Sequence, residues 1–189
     1  MKPTSLALTT LSALCVALFG GCASDSKSAY AKPEPTYEDA QKNPFVSTNR
    51  DAIQKLLAGM DLKAYQSTPM LVATVVNVND LRKTAPLGRT LSEQYASHLV
   101  NSGLLVKELK LRGDIFVREE TGELMLSREV KDIAKLHSAG VVLVGTYSPA
   151  ANATYVSLKL VMTDTGQIIR GHDYALPNNA DVNKLLALK

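Results

Sequence analysis

The sequence predicts an α/β fold: a single domain whose mixed sheet carries two or three packed helices and ends in a C-terminal antiparallel hairpin. Three observations predict it. Two runs, 70–78 and 141–147, are apolar at nearly every position, as in strands covered on both faces. Segments of helical period lie around and between them, so strands and helices alternate along the chain. Residues 154–163 alternate strictly, turn at Asp164-Thr165-Gly166 and return through 167–176, which is a hairpin pattern.

Taken in order, the first helix is predicted over 49–60, with Asp51 in its first turn and Ile53, Leu56 and Leu57 on one face. After the strand at 70–78, residues 80–87 read as a loop that carries Pro86. Thr90-Leu91-Ser92-Glu93 has the form of a capping box, in which Thr90 accepts from the backbone and Glu93 reaches back. The helix it opens runs to about Asn101, with Leu91, Tyr95 and Leu99 on its buried stripe, and Gly103 fits the left-handed position beyond it. A strand at 104–111, a turn at Arg112-Gly113-Asp114 and an extended piece at 115–118 follow. Ser127 can cap a helix to about Ser138, with Val130, Ile133 and Ala134 inward and Gly140 at its end. A closing helix is expected over 179–188. Val72, Val76, Leu99 and Leu143 are expected in the core.

The hairpin offers a surface. With Val156, Leu158, Leu160 and Met162 toward the helices, the other face carries Tyr155, Ser157, Lys159 and Val161. The return strand is expected to add Arg170, His172 and Tyr174 to that outer face. Tyr155, Lys159, Arg170, His172 and Tyr174 then form a basic and aromatic patch suited to a protein partner, set against the simpler reading of a solvated sheet face.

The chain opens as a lipoprotein precursor would. Residues 5–19 are uncharged, follow Lys2 and close on Phe19-Gly20-Gly21-Cys22, which predicts a signal peptide at 1–21 and acylation of Cys22. Phe19 stands where Leu, Val or Ile is commoner. A spanning helix through the same stretch would explain neither the small residues before Cys22 nor the polar tail after it. Each buried methylene of an acyl chain contributes roughly 0.8 kcal/mol, so two or more chains anchor stably. Ala23, not Asp, follows Cys22, which favours the outer membrane, with the domain facing the periplasm. Residues 22–48 read as the lipidated Cys and a Ser, Lys, Ala and Pro rich tether, and 49–189 as the domain.

Cys15 falls within the signal and Cys22 at its end, so the predicted mature domain has no thiol for a disulfide, a metal or catalysis. About 140 residues remain, enough for one domain that buries roughly two-thirds of its unfolded surface. The formal charge of +3 becomes +2 when Lys2 leaves, and basic residues are scattered, so no nucleic-acid partner is implied. His98, His137 and His172 each stand alone on a different predicted element, and no metal-ligand spacing links them. Ser127 lacks the glycine elbow of a hydrolase nucleophile and reads better as a cap. Leu87-Gly88-Arg89 could offer backbone N–H groups to an anion, but the capping box takes part of that donor set. No catalytic residue, cofactor or metal site is predicted, and the chain does not read as an enzyme.

Three stretches carry a resemblance: Leu87-Gly88-Arg89-Thr90-Leu91-Ser92-Glu93-Gln94, Gly122-Glu123-Leu124-Met125-Leu126-Ser127-Arg128, and Val144-Gly145-Thr146-Tyr147. In this order, behind a lipoprotein start, the chain resembles the FlgO family of outer-membrane flagellar lipoproteins from about Asp51 to Leu186. The resemblance implies a fold similar to the N-terminal domain of TolB and to lipoproteins that activate penicillin-binding proteins. It implies a role in flagellar stability or motility, with partners in the flagellar basal structure or self-assembly, and it supplies no catalytic residues. The alternative it leaves open is a periplasmic binding module that regulates a cell-wall synthase or trans-envelope complex.

Overall fold

Helical structure starts with two local caps. In the computed structural model, which describes residues 34–81, 84–108, 132 and 134–187, Thr36–Lys189 form one compact unit. Thr36 and Asp39 make a reciprocal capping box at α1 (Tyr37–Lys42), with the Asp39 amide donating to Thr36 Oγ1 at 3.2 Å and the Thr36 amide to Asp39 Oδ2 at 2.9 Å. Asn43 then caps α2 (Pro44–Leu57) by accepting from the Phe45 amide at 3.0 Å, and Pro44 occupies N1, where its missing N–H costs nothing. The helix expected from Asn49 thus begins at Pro44, and α1 lies within the stretch read as tether. Asn49, Ala52, Ile53, Leu56 and Leu57 are its buried residues.

A short 3-10 turn (Leu62–Tyr65) leads into β1 (Met70–Val72) and β2 (Val76–Asn77). One continuous strand was expected here, and it is broken at 73–75. Val72 lies opposite Leu143 and Val76 opposite Thr146, so three residues face two on the neighbouring strand. Beyond it come α3 (Pro86–Asn101), β3 (Val106–Glu108), β4 (Val141–Pro149), β5 (Ala153–Met162), β6 (Ile168–Pro177) and α4 (Ala180–Leu186). Among the described residues the sheet is mixed and six-stranded, in the order β3-β1-β4-β5-β6 with β2 also on β4. β1 pairs parallel with β3 and β4, while β4–β5 and β5–β6 are antiparallel.

Both faces of the sheet centre are buried. Met70, Val72, Val141, Leu143 and Tyr147 join Ile53, Leu56, Leu91, Tyr95, Leu99 and Val182 in a core beneath the helices. Leu71, Ala73, Val76, Val142, Val144 and Val161 form a second core on the opposite face with Ala134 and Ala139. The double burial expected for the two apolar runs is therefore present, and Val72, Val76, Leu99 and Leu143 are all buried.

The start of α3 departs from expectation. It begins at Pro86, with Ala85 at the N-cap and no side-chain cap, so Thr90 lies inside the helix. Its hydroxyl donates to the Pro86 carbonyl at 3.0 Å, four residues back, and caps nothing. The cap-residue amide of Ala85 donates instead to Tyr147 Oη at 2.9 Å, across 62 positions of sequence. At its other end Gly103 is left-handed as expected (φ 84°). At the turn before β4 it is Ser138 that takes the left-handed conformation (φ 52°), where Gly140 was expected to end the helix. Asn179 caps α4, accepting from the Val182 amide at 2.9 Å. The predicted turn at Arg112-Gly113-Asp114, the piece at 115–118, Ser127, Val130 and Ile133 lie outside the described residues.

Candidate functional site

β5 alternates as the sequence requires, with Val156, Leu158 and Leu160 buried under the helices and Tyr155 exposed on the other face. β6 does not return in simple register. Val161 lies opposite Ile168, but Leu160 lies opposite Arg170, so Ile169 is an extra residue, a β-bulge. Opposed residues of an antiparallel pair share a face. From the bulge onward Arg170, His172 and Tyr174 stand opposite Leu160, Leu158 and Val156, on the helix side. Gly171, Asp173 and Ala175 stand opposite Lys159, Ser157 and Tyr155. The five residues expected on one patch are therefore divided. Tyr155 and Lys159 remain on the outer face, whereas Arg170, His172 and Tyr174 do not join them. Val161, also expected outside, is buried in the second core.

On the helix side these side chains bind the sheet to α2 and α3. Tyr174 Oη donates to Asn49 Oδ1 at 2.6 Å, and Asn49 Nδ2 donates to Gln94 Oε1 at 2.7 Å. With the single Tyr174 proton committed to Asn49, the hydroxyl of Tyr95 donates to Tyr174. Burial raises both phenols above the ordinary tyrosine range, Tyr95 most strongly because its charged form would also face Tyr174. His172 stacks on Tyr174, with ring centroids 6.2 Å apart and planes within 8°.

Arg170 reaches the other way. Its Nη2 donates to the Gly59 carbonyl at 3.1 Å and its Nη1 to the Ile169 carbonyl at 3.3 Å, while Nε is buried without a partner. A cleft of about 230 Å³ opens there, lined by Gly59, Met60, Tyr65, Ile169 and Arg170, with Asp61 and Ala64 also on its wall. The bulge creates it in part, because it sets Ile169 and Arg170 against the same loop. Alternation counting could not foresee this, although the doublet Ile168-Ile169 in the return strand is its trace.

Two of the three sequence stretches singled out meet at one buried junction. Gly88 lies where a Cβ would stand 2.0 Å from the Val75 carbonyl oxygen, so only glycine lets α3 approach the break between β1 and β2. Ser92 Oγ accepts from the Val75 amide at 2.8 Å and donates to the Gly88 carbonyl at 2.8 Å. Thr84 donates to the Val75 carbonyl at 2.7 Å, so both backbone groups of Val75 are satisfied without a strand neighbour. Gly145 faces the same place, where a Cβ would meet Val75 Cγ2 at 3.1 Å and Leu158 Cδ2 at 2.9 Å. Leu87-Gly88-Arg89 is thus the first turn of a helix built for packing and presents no open anion loop. The third stretch, 122–128, lies outside the described residues.

His98 sits on α3 with its Nε2 buried and unpartnered, and burial, then Arg50, holds its pKa below the usual value. The His137 carbonyl accepts from Lys107 Nζ at 3.0 Å. Among the described residues no three His, Cys, Asp or Glu side chains come together as metal ligands. No described helix is long and apolar enough to cross a membrane. Cys22 lies outside the described residues.

A family model described as "FlgO protein" matches residues 50–181. No curated protein sequence matches the chain. Among solved structures it is similar to the LpoB C-terminal domain from Escherichia coli, at 17% identity and a TM-score of 0.49, over 70% of this chain and 97% of that one. It is similar to the LpoB C-terminal domain from Salmonella enterica, at 20% identity and a TM-score of 0.46, over 68% and 94%. It is also similar to the PelC dodecamer from Paraburkholderia phytofirmans, at 12% identity and a TM-score of 0.41, over 65% and 81%.

Proposed function

From the premise that this chain belongs to the FlgO family, we propose that it is an outer-membrane lipoprotein with a structural or assembly role in the flagellar envelope apparatus and in motility. The family match carries the proposal: residues 50–181 take in most of α2 and reach into α4, so the similarity is to the folded unit rather than to an isolated motif. The signal-like layout closing on Cys22 supports an acyl anchor that holds the domain at the membrane surface. In the two stretches that are described, Gly88, Ser92 and Gly145 are spent on the buried junction of α3 with the sheet, which points function to exposed surfaces. Candidate surfaces are the outer hairpin face with Tyr155 and Lys159, and the cleft beside Arg170.

The test is an in-frame deletion scored for swimming in soft agar and for filament retention. Loss of motility, restored by the full chain, is expected. Wild-type swimming would sink the flagellar reading. Normal swimming with altered cell shape or greater sensitivity to wall-targeting antibiotics would favour regulation of a cell-wall synthase instead.

A further inference from the structure

The cleft beside the bulge has a chemistry that the fold does not consume. Arg170 carries five N–H donors. One on each Nη is bonded to a backbone carbonyl and Nε is enclosed, which leaves one further N–H on each Nη. Among the described residues no carboxylate lies within ion-pair reach of this guanidinium. Asp61, on the same wall, accepts from the Lys63 amide at 3.2 Å and makes no ion pair with Arg170, so the wall keeps one negative charge while the guanidinium donors stay open. A cation with one free N–H on each of two nitrogens attracts a carboxylate, whose two oxygens accept charge-assisted hydrogen bonds. Beside it Met60, Tyr65 and Ile169 present apolar surface. At about 230 Å³ the cleft is smaller than the roughly 300–1,000 Å³ of drug-sized and cofactor sites, and suits one or two side chains. The strand that supplies Ile169 and Arg170 ends the sheet, pairing among the described residues with β5 alone. A free edge of this kind accepts an extended peptide.

We propose that this cleft docks an extended acidic segment of a partner protein, with one apolar side chain against Met60, Tyr65 and Ile169 and a neighbouring carboxylate on Arg170. This rests on the reading of the domain as a protein-binding module and is independent of whether that partner is flagellar.

The test follows the side-chain Nε–H of Arg170 and the Ile169 amide by NMR in the ¹⁵N-labelled full chain. The probes are the blocked peptide acetyl-Thr-Leu-Glu-Val-Thr-amide and its Gln counterpart. The Glu peptide should shift both resonances saturably, with a Kd on the order of 1 mM as suits a single anchor. The Gln peptide should bind about tenfold more weakly or worse. Ala64→Glu adds a like charge at an exposed position on the wall. It should weaken the Glu peptide by a similar factor with thermal unfolding unchanged, which covers the case in which Arg170→Lys fails to fold. Equal binding of the two peptides, no saturable shift, or indifference to Ala64→Glu would overturn the proposal. So would shifts that depend on protein concentration without peptide, since the occupant would then be a second copy of this chain. Peptide binding is read in vitro, so its failure and that of the motility assay are separate results.

Discussion

Ser92 stands where a helix meets a broken strand, and its one hydroxyl serves Val75 and Gly88 together. Ser92→Ala would leave the Val75 amide buried without an acceptor, at a cost of about 1–3 kcal/mol in denaturant unfolding. Gly88→Ala should be worse, ~3 kcal/mol or more, because the Cβ would meet backbone rather than a side chain that can swing away. Thr90→Ala should lie within about 0.5 kcal/mol of the parent, since Thr90 bonds within its own helix. A true cap would cost roughly 0.5–2 kcal/mol, so this variant separates the two accounts. The phenols of Tyr95 and Tyr174 give a pH signature. Their folded-state values lie above the unfolded value near 10, so the neutral forms are favoured in the fold. The stability they contribute is complete below pH 10 and is lost as pH rises through the raised values. Urea unfolding between pH 8 and 12 should show this decline, and the double substitution Tyr95→Phe with Tyr174→Phe should flatten it. Tyr174→Phe alone should cost about 1–3 kcal/mol at neutral pH by stranding Asn49 Oδ1 and the Tyr95 hydroxyl.

At the scale of elements, the bulge decides what β6 does. Ile169 shifts the register by one and sends Arg170, His172 and Tyr174 to the helices. Deleting Ile169 would set Ile168 and Arg170 opposite Val161 and Leu160 in regular register and keep that trio on the helix side, so the Tyr174–Asn49 bond should survive and the melting temperature should fall little more than in Ile169→Ala; comparing the two melting temperatures checks this. Such a device is hard to read from sequence. β4 was legible because 141–147 is apolar at nearly every position, and β5 because its alternation is strict. A period-two count carried across the turn has no way to notice one inserted residue. The start of α3 was missed for a related reason. Thr90-Leu91-Ser92-Glu93 matches a capping pattern in sequence, but Pro86 fits N1, and the group that receives the cap amide is Tyr147, which becomes a neighbour only after β4 is in place. The break between β1 and β2 likewise depends on Ser92 and Thr84, which reach it from other segments. Local pattern gave the elements, and the contacts that correct their ends are non-local. The candidate cleft was not legible at all, since it needs the bulge and the loop after α2 together.

For the whole molecule, lipidation is the prediction with the sharpest readout. Mass spectrometry of the membrane fraction should find an acylated Cys22 as the mature N-terminus, and an intact Met1 or cleavage elsewhere would remove the anchor from the account. Cys22→Ser should abolish acylation while leaving thermal unfolding of the domain unchanged. The helical start at Tyr37 also shortens the reach implied by the sequence. From Cys22 to Thr36 there are fourteen residue steps, which at about 3.3–3.6 Å each span at most about 50 Å.

If Cys22 is acylated and a partner holds the domain at its surface, tension between the two would enter the folded unit at Thr36. α1 buries no residue, and its hold beyond itself includes the bond from Asn43 to Asp181 at 2.7 Å, made by the residue that also caps α2. Behind it, Asn49 and the apolar face of α2 are gripped by Tyr174 and Gln94. Load applied there meets these contacts one after another, whereas the ten-residue ladder of β5 on β6 would resist as a set. Under pulling, the stretch 36–57 should peel before the sheet yields, releasing about 75 Å of contour from its 22 residues. That would make the first helices a mechanical fuse between membrane and sheet.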